Sequence, residues 1–226
     1  MDAISFLTQN RIFTHLGTDA LHEIASSAQQ RHFRSGEWIV HQGDVWPHLF
    51  MVKIGKVTAV KESYEGRSLI LTTINRKEVF WGLAFFLEDA PMPAGLTATL
   101  DSELYLWSRE NMLPLLLDNG RLAWELSCLI IQRVQLASEI VEKLAFQPVA
   151  GRLARLLMDQ TGNAGTAHQH RDLTLDEMAA RIGSTREVVS RFLHRFSDDG
   201  IISITRTDFS INDPQKLKDL AQKVKG

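Results

Sequence analysis

Cysteine is nearly absent from this chain: Cys128 is the one thiol in 226 residues. That excludes a disulfide framework and any multi-cysteine zinc or iron–sulfur centre, and it fits a reducing compartment. No apolar run reaches the roughly 18 residues of a membrane span. The opening stretch MDAISFLTQN has neither the basic nor the apolar region of a signal peptide. A cytoplasmic protein without a membrane partner is therefore expected. Walker loops and the G-x-S-x-G, H-E-x-x-H and G-x-G-x-x-G patterns are missing as well, which leaves the common hydrolytic and nucleotide-dependent chemistries without a foothold. Charge of one sign is also scarce, with 25 basic and 27 acidic residues and a net charge of −2. What remains is ordinary globular composition, 44% hydrophobic and 23% charged, enough for one large domain or two small ones.

The charge is unevenly spread. Residues 1–146 hold 13 basic and 17 acidic side chains, net −4, whereas residues 147–226 hold 12 and 10, net +2. The texture changes along the chain too. Residues 2–30 place Ile12, Phe13, Leu16, Leu21, Ile24 and Ala25 at helical spacing, predicting one or two short helices. From Gln30 to Ser108, strand-length runs (HFRSGEWIVHQGD, LFMVKIGKVTAVKE, SLILTTI, EVFWGLAFF, LTATLDSELYLWS) alternate with turn residues, and KESYEGRS reads as a hairpin loop. Such spacing predicts an antiparallel sandwich or roll. RENMLPLLL and a long run from about Arg121 to Phe146 are then helical. On the long run, Ala123, Leu126, Ile130, Ala137, Ile140 and Leu144 approximate a heptad seam, broadened by Leu122, Leu129, Leu136 and Val141. A helix apolar over so wide an arc needs two partners, its own roll and a symmetry mate. Burial inside one domain is the alternative. Gln147–Pro148 ends it, VAGRLARLLMDQ forms the next helix, and the polar loop GNAGTAHQHRD follows.

Residues Leu173–Phe209 carry the chemistry. Thr174 and Glu177 spell a capping box, and Leu175, Met178, Ala179 and Ile182 share one face of the helix it opens. Gly183 supplies a turn, and Ser184 or Thr185 caps a second helix. That helix splits cleanly: Arg186, Glu187, Ser190, Arg191 and His194 lie on one face, Val188, Val189, Phe192, Leu193 and Phe196 on the other. Arg can grip guanine O6 and N7, and Glu can accept from cytosine N4–H. From Arg181 to Arg195, the recognition stretch, Arg181, Arg186, Arg191 and Arg195 face only Glu187. IISITRTDFSIN then reads as a hairpin, and DPQKLKDLAQKV as a closing helix with Pro214 early in it. The order describes a winged helix-turn-helix whose second helix enters a DNA major groove. Thr174, Ser184 and Thr185, at the starts of the two helices, join Arg186, Glu187, Ser190, Arg191 and His194 as the candidate DNA-binding residues. An ordinary helical pair with a solvated face is the bland alternative.

The order of elements resembles the CRP/FNR family of transcription regulators over essentially the whole chain. Gly36–Glu37 with Gln42–Gly43–Asp44, Phe50–Val57 with Gly55, the run Arg133–Leu157 with Phe146 at a hinge, and above all STREVVSR (Ser184–Arg191) carry the resemblance. It implies an α+β fold: a β-roll sensor over 1–108, a dimerisation helix within 109–146, and a winged-helix DNA-binding domain over 147–226. It also implies a homodimer on a palindrome, with Arg186, Glu187 and Arg191 where the catabolite-activator branch reads TGTGA. Glu187, Ser190 and Arg191 match the E-x-x-S-R of the fumarate–nitrate branch, and Ser190 favours a TTGA-like core. RNA polymerase is the implied protein partner.

The effector region departs from the family pattern. Cyclic-nucleotide binders carry a Glu after the phosphate-site glycine and an Arg–Ser pair further on. Here Phe80-Trp81-Gly82-Leu83 is followed, eleven residues past Gly82, by Pro93 and Ala94. Leucine cannot accept from a ribose hydroxyl, and Pro–Ala cannot neutralise a phosphate. Of Ala137 and Ser138, where such proteins place two hydroxyls near adenine, only Ser138 keeps one. Cyclic AMP and cyclic GMP are therefore not expected as effectors, and no cofactor is identified. No cysteine cluster serves an iron–sulfur sensor, and no His stands near Trp81–Phe86 in the sequence to ligate haem. His168 and His170 read as a solvated loop rather than a metal site, and Cys128 as a small buried hydrophobe. Phe80, Trp81, Phe85, Phe86 and Trp107 are either plain core or a wall for an apolar or aromatic small molecule. A family member that needs no ligand is the alternative. A cupin-type β-barrel enzyme would need clustered His and Glu on adjacent strands, whereas His41 and His48 stand apart.

Overall fold

The computed structural model describes residues 3–161, 169–170, 173–205 and 208–223. Three short helices, α1 (Ala3–Leu7), α2 (Arg11–Thr14) and α3 (Thr18–Ser27), lead into eight strands: β1 (Gln29–Phe33), β2 (Trp38–Val40), β3 (His48–Ile54), β4 (Lys56–Glu62), β5 (Ser68–Asn75), β6 (Val79–Trp81), β7 (Gly95–Ala98) and β8 (Ser102–Ser108). Helices α4 (Arg109–Asp118), α5 (Gly120–Phe146) and α6 (Val149–Thr161) follow. A two-residue strand β9 (Gln169–His170), α7 (Leu175–Ile182), α8 (Arg186–Asp198), β10 (Ile202–Ile204), β11 (Asp208–Ile211) and α9 (Pro214–Gln222) complete the chain. By packing it divides into two compact units, residues 1–62 with 71–136, and 63–70 with 137–226.

In the first unit two four-stranded sheets, ordered β1-β8-β3-β6 and β2-β7-β4-β5, form the expected roll. Strand β3 is apolar on both faces because both are covered. Leu49 and Met51 pack with Phe13, Trp107 and Met112 beneath the helices, while Phe50 and Val52 pack with Val57, Leu96 and Leu104 between the sheets. The run EVFWGLAFF, expected as one strand, stops at Trp81. Gly82 N–H makes a last rung to the His48 carbonyl (2.9 Å), and a 3-10 turn at Leu83–Phe85 then buries Ala84 and Phe85 together. Alternation is lost there, so a strand cannot continue.

The long helix is corrected in detail. Leu122 and Leu126, assigned to a seam or its margin, are 1% exposed and sit in the first unit's own core, with Leu129 and Ile130 packed against it. Large apolar side chains left outward include Phe146 at the end of the helix, 59% exposed, and along it Trp124, Ile131, Val134 and Val141, 58–66% exposed. The spacing of these last four, by seven, three and seven residues, is itself a heptad pattern. A Glu125 carboxylate between Arg11 and Arg121 interrupts the apolar arc on the buried side.

The second unit is built around Leu153, Leu157, Met178, Val189, Leu193, Phe196, Phe209 and Leu217. Strand β9 falls within the stretch expected as a polar loop and pairs with β11, giving a three-stranded wing sheet ordered β10-β11-β9. His168 lies outside the described residues, as does the His170 side chain. Gly183 holds φ +60°, and a Cβ there would stand 2.6 Å from Leu144 Cδ2. Gly183→Ala is therefore expected to lose about 1–2 kcal/mol from left-handed backbone strain alone, with displacement of Leu144 added. Urea denaturation with an unchanged slope would read this as a lower midpoint.

Candidate nucleic-acid interface and effector wall

The helix-turn-helix is secured by its caps. Thr174 Oγ1 accepts from the Glu177 N–H (3.2 Å), and Glu177 Oε2 accepts from the Thr174 N–H (2.7 Å). The Ala179 carbonyl accepts from Ser184 N–H (2.9 Å), so Ser184 belongs to the turn. Thr185 is the N-cap of α8, accepting from Val188 N–H at 3.4 Å. Two orphan ends are thus satisfied close together, which fixes how α8 leaves the turn.

Helix α8 then divides as its sequence pattern requires. Val189, Leu193 and Phe196 are buried, Val188 and Phe192 half-buried, and Arg186, Glu187, Arg191 and His194 exposed, with Ser190 half-buried beside them. The five polar candidates therefore lie along one accessible stripe. Arg191 leans over the Phe192 ring at 5.8 Å, a cation–π contact that limits its wandering. The Glu187 carboxyl is held below its ordinary range by its own backbone N–H and then by the Thr185 hydroxyl, so it is an anion at neutral pH. Acidic partners are more numerous than Glu187 alone. Arg186 pairs with Asp176 of α7 at 3.0 Å, and Arg195 with Asp199 at 3.8 Å. Asp176 lies five residues before Arg181, outside the span counted, and the turn of the motif brings it back to Arg186.

Arg152 was also missed. Its Nε donates to the Ile182 carbonyl (2.7 Å) and its Nη1 to the Gln147 carbonyl (2.6 Å), joining the end of α7 to the break after α5. Burial lowers its pKa from the usual arginine value. Its one sequence signal was a cation adjoining the buried Leu153, just past Pro148.

In the first unit, Phe80 and Trp81 stack at 5.3 Å, and the contacts continue from Phe80 to Phe50 and Trp46 and from Trp81 to Phe86. Gly82 is needed for close approach: a Cβ would stand 1.9 Å from the Trp46 carbonyl oxygen. Leu83 is half-buried in the turn, and Ala94 is buried. Arg133, not anticipated from the sequence, lies over the Phe80 ring at 5.4 Å and donates to Thr72 Oγ1 at 3.1 Å. Burial depresses its pKa, and Glu78, 4.0 Å away, opposes that. Ala137 and Ser138 are exposed on α5. The absence of a histidine near Trp81–Phe86 is corrected by the sheet. His48 is brought beside Gly82 by the pairing of β3 with β6, and its ring lies 5.2 Å from Trp46. Burial and then Arg31 depress its pKa, favouring neutral imidazole. Cys128 is half-buried. Among the described residues no cluster of three His, Cys, Asp or Glu could hold a metal, and no helix is long and apolar enough to cross a membrane.

Comparison with known proteins covers both units. Residues 151–220 match the Crp-like helix-turn-helix domain model, and residues 30–119 the cyclic nucleotide-binding domain model. The chain is 27% identical over 214 residues to the cyclic AMP receptor protein of Thermus thermophilus, covering 93% of this chain and 96% of that one. A structure from Eubacterium rectale, assigned to the crp/fnr regulators, superposes with a TM-score of 0.78 at 23% identity over 94% and 98% of the two chains. The c-di-GMP responsive global regulator CLP of Xanthomonas campestris superposes at 0.75, with 20% identity over 86% and 99%.

Proposed function

Since this chain belongs to the CRP/FNR family of transcription regulators, we propose that it acts as a cytoplasmic homodimer reading a palindromic TTGA- or TGTGA-like site. It is a DNA-binding regulator and not an enzyme. The observation that carries the finer reading is the split of α8: Arg186, Glu187 and Arg191 stand exposed over buried Val189, Leu193 and Phe196. A recognition helix so presented reads major-groove edges, and two-fold symmetry sets the half-sites about one helical turn apart. The outward heptad Trp124, Ile131, Val134 and Val141 supports a second copy on α5. On this reading 1–108 is the sensor, 109–146 the dimerising segment and 147–226 the DNA-binding domain. The regulator recruits or blocks RNA polymerase at the bound site.

The effector in this reading is not a cyclic nucleotide. Leu83, Pro93 and Ala94 provide neither a ribose acceptor nor a phosphate donor pair. An aromatic small molecule against Phe80, Trp81, Gly82 and Leu83, with Arg133 stacked alongside, suits the wall better. Its binding would bias the hinge near Leu144–Pro148, which Arg152 ties to α7. Self-packing of the aromatic wall favours a second reading, in which the protein is active without a ligand. A single pair of experiments tests this. Selection from a randomised duplex pool is expected to enrich a palindrome; enrichment of no sequence would refute base reading. Cyclic AMP is expected to leave the melting temperature unchanged. A ligand at about 100 times its Kd stabilises by about 2.7 kcal/mol, so a saturable rise would overturn the non-nucleotide assignment.

A further inference from the structure

We propose that Asp176 is a specificity-determining residue, whose carboxylate buttresses Arg186 so that the guanidinium offers a fixed pair of N–H donors to a guanine edge. This rests on α8 being the base-reading helix. Asp176 is the second residue of α7 and Arg186 the first of α8, so the 3.0 Å contact between Oδ2 and Nη1 spans the turn of the motif. The carboxylate takes one of the five N–H donors of the guanidinium and leaves the others free for a bidentate contact. An arginine tethered at one nitrogen loses less freedom on meeting guanine than one that swings from its stem.

The ordinary role for an acid in a first helical turn is to complement the helix N-terminus. The capping hydrogen bonds at this end do not need Asp176, because Thr174 and Glu177 close the capping box between themselves. The Asp176 carboxylate instead accepts from the Arg186 guanidinium on the next helix. With the two side chains 67% and 61% exposed, the pair contributes little to folding in water. Docking on DNA removes that water and lowers the local dielectric, which strengthens the same contact. The charge also has a second effect. A lone arginine beside two helix N-termini attracts any phosphate, and a neighbouring carboxylate repels it. Asp176 thus favours the base edge over the backbone as the destination of Arg186. Arg191 lies over the Phe192 ring, so the two arginines are oriented by different contacts.

The test uses the full chain and a duplex enriched from a randomised pool by the wild type. The guanine read by Arg186 is the position at which Arg186→Ala relaxes the selection. Fluorescence anisotropy then compares this duplex with one altered at that guanine, and with a scrambled duplex. Asp176→Asn is expected to reduce guanine discrimination about threefold to tenfold over two half-sites, while scrambled DNA binds about twofold to fivefold more tightly. In an Arg186→Ala background the same change should alter discrimination by less than about twofold, and Asp176→Glu should recover part of the loss. Melting temperatures of all variants should match the wild type. Discrimination held within about twofold in Asp176→Asn overturns the proposal, as does an equal shift in the Arg186→Ala background. Arg186→Ala leaving every position unchanged overturns it too, while sparing a reading based on Arg191. A wild type that enriches no sequence removes the base-reading assignment itself and this inference with it.

Discussion

Replacing Arg191 with Ala is expected to cost about 1–3 kcal/mol of specific binding per half-site, the loss of a bidentate grip on guanine. Two half-sites lose the contact together, so the effect on the palindrome compounds, about tenfold for each 1.4 kcal/mol. Binding to scrambled DNA should change little, and the fold should be intact, since the side chain is exposed and its contact is the neighbouring Phe192 ring. A phosphate-binding arginine would behave differently. Its removal would weaken both duplexes alike and reduce the salt slope by about 1. Anisotropy titrations of both duplexes at several salt concentrations separate the two cases. Equal loss on specific and scrambled DNA would assign Arg191 to the backbone.

A charge on the outward stripe of α5 should be nearly as damaging by another route. In the double variant Ile131→Glu with Val134→Glu, sedimentation is expected to show a monomer, and affinity for the full palindrome to fall about 10²–10⁴-fold. That is the range gained when a second binding event becomes intramolecular. Because both side chains are exposed within the chain, the melting of each unit should persist. Leu126→Glu is the contrast. Its side chain is 1% exposed in the first unit's core, so it should destabilise the protein, because an unpaired charge would be buried. A dimeric Ile131→Glu, Val134→Glu variant with full affinity would place the homodimer contact elsewhere.

Elements whose cause is local could be read directly from the residues. Thr174 and Glu177 are three positions apart, Gly183 must adopt positive φ, and residues 186–196 alternate at helical period. Each is a relation within one or two turns, and backbone geometry converts it into structure without help from the rest of the chain. The roll was legible for the same reason, as strand-length runs between turn residues, and so were the break at Pro148 and the wing. The two family models span the roll and the helix-turn-helix with its wing.

Relations between elements were not legible in this way. A wide apolar arc on α5 announced two partners, yet which residues met the protein's own core depended on how α1–α4 lay against the helix. Only then did Leu122 and Leu126 turn inward and Trp124, Ile131, Val134 and Val141 outward. His48 is over thirty positions from Gly82 in the chain and one rung away in the sheet. Arg133 reaches the aromatic wall across the helix–sheet packing, Arg152 joins two helix ends, and Asp176 meets Arg186 across a turn. Helical and strand periods specify which face a side chain takes, because they follow from the backbone alone. What stands opposite that face depends on long-range closure of the chain, and here that packing selected the partners of the charged groups at both candidate sites.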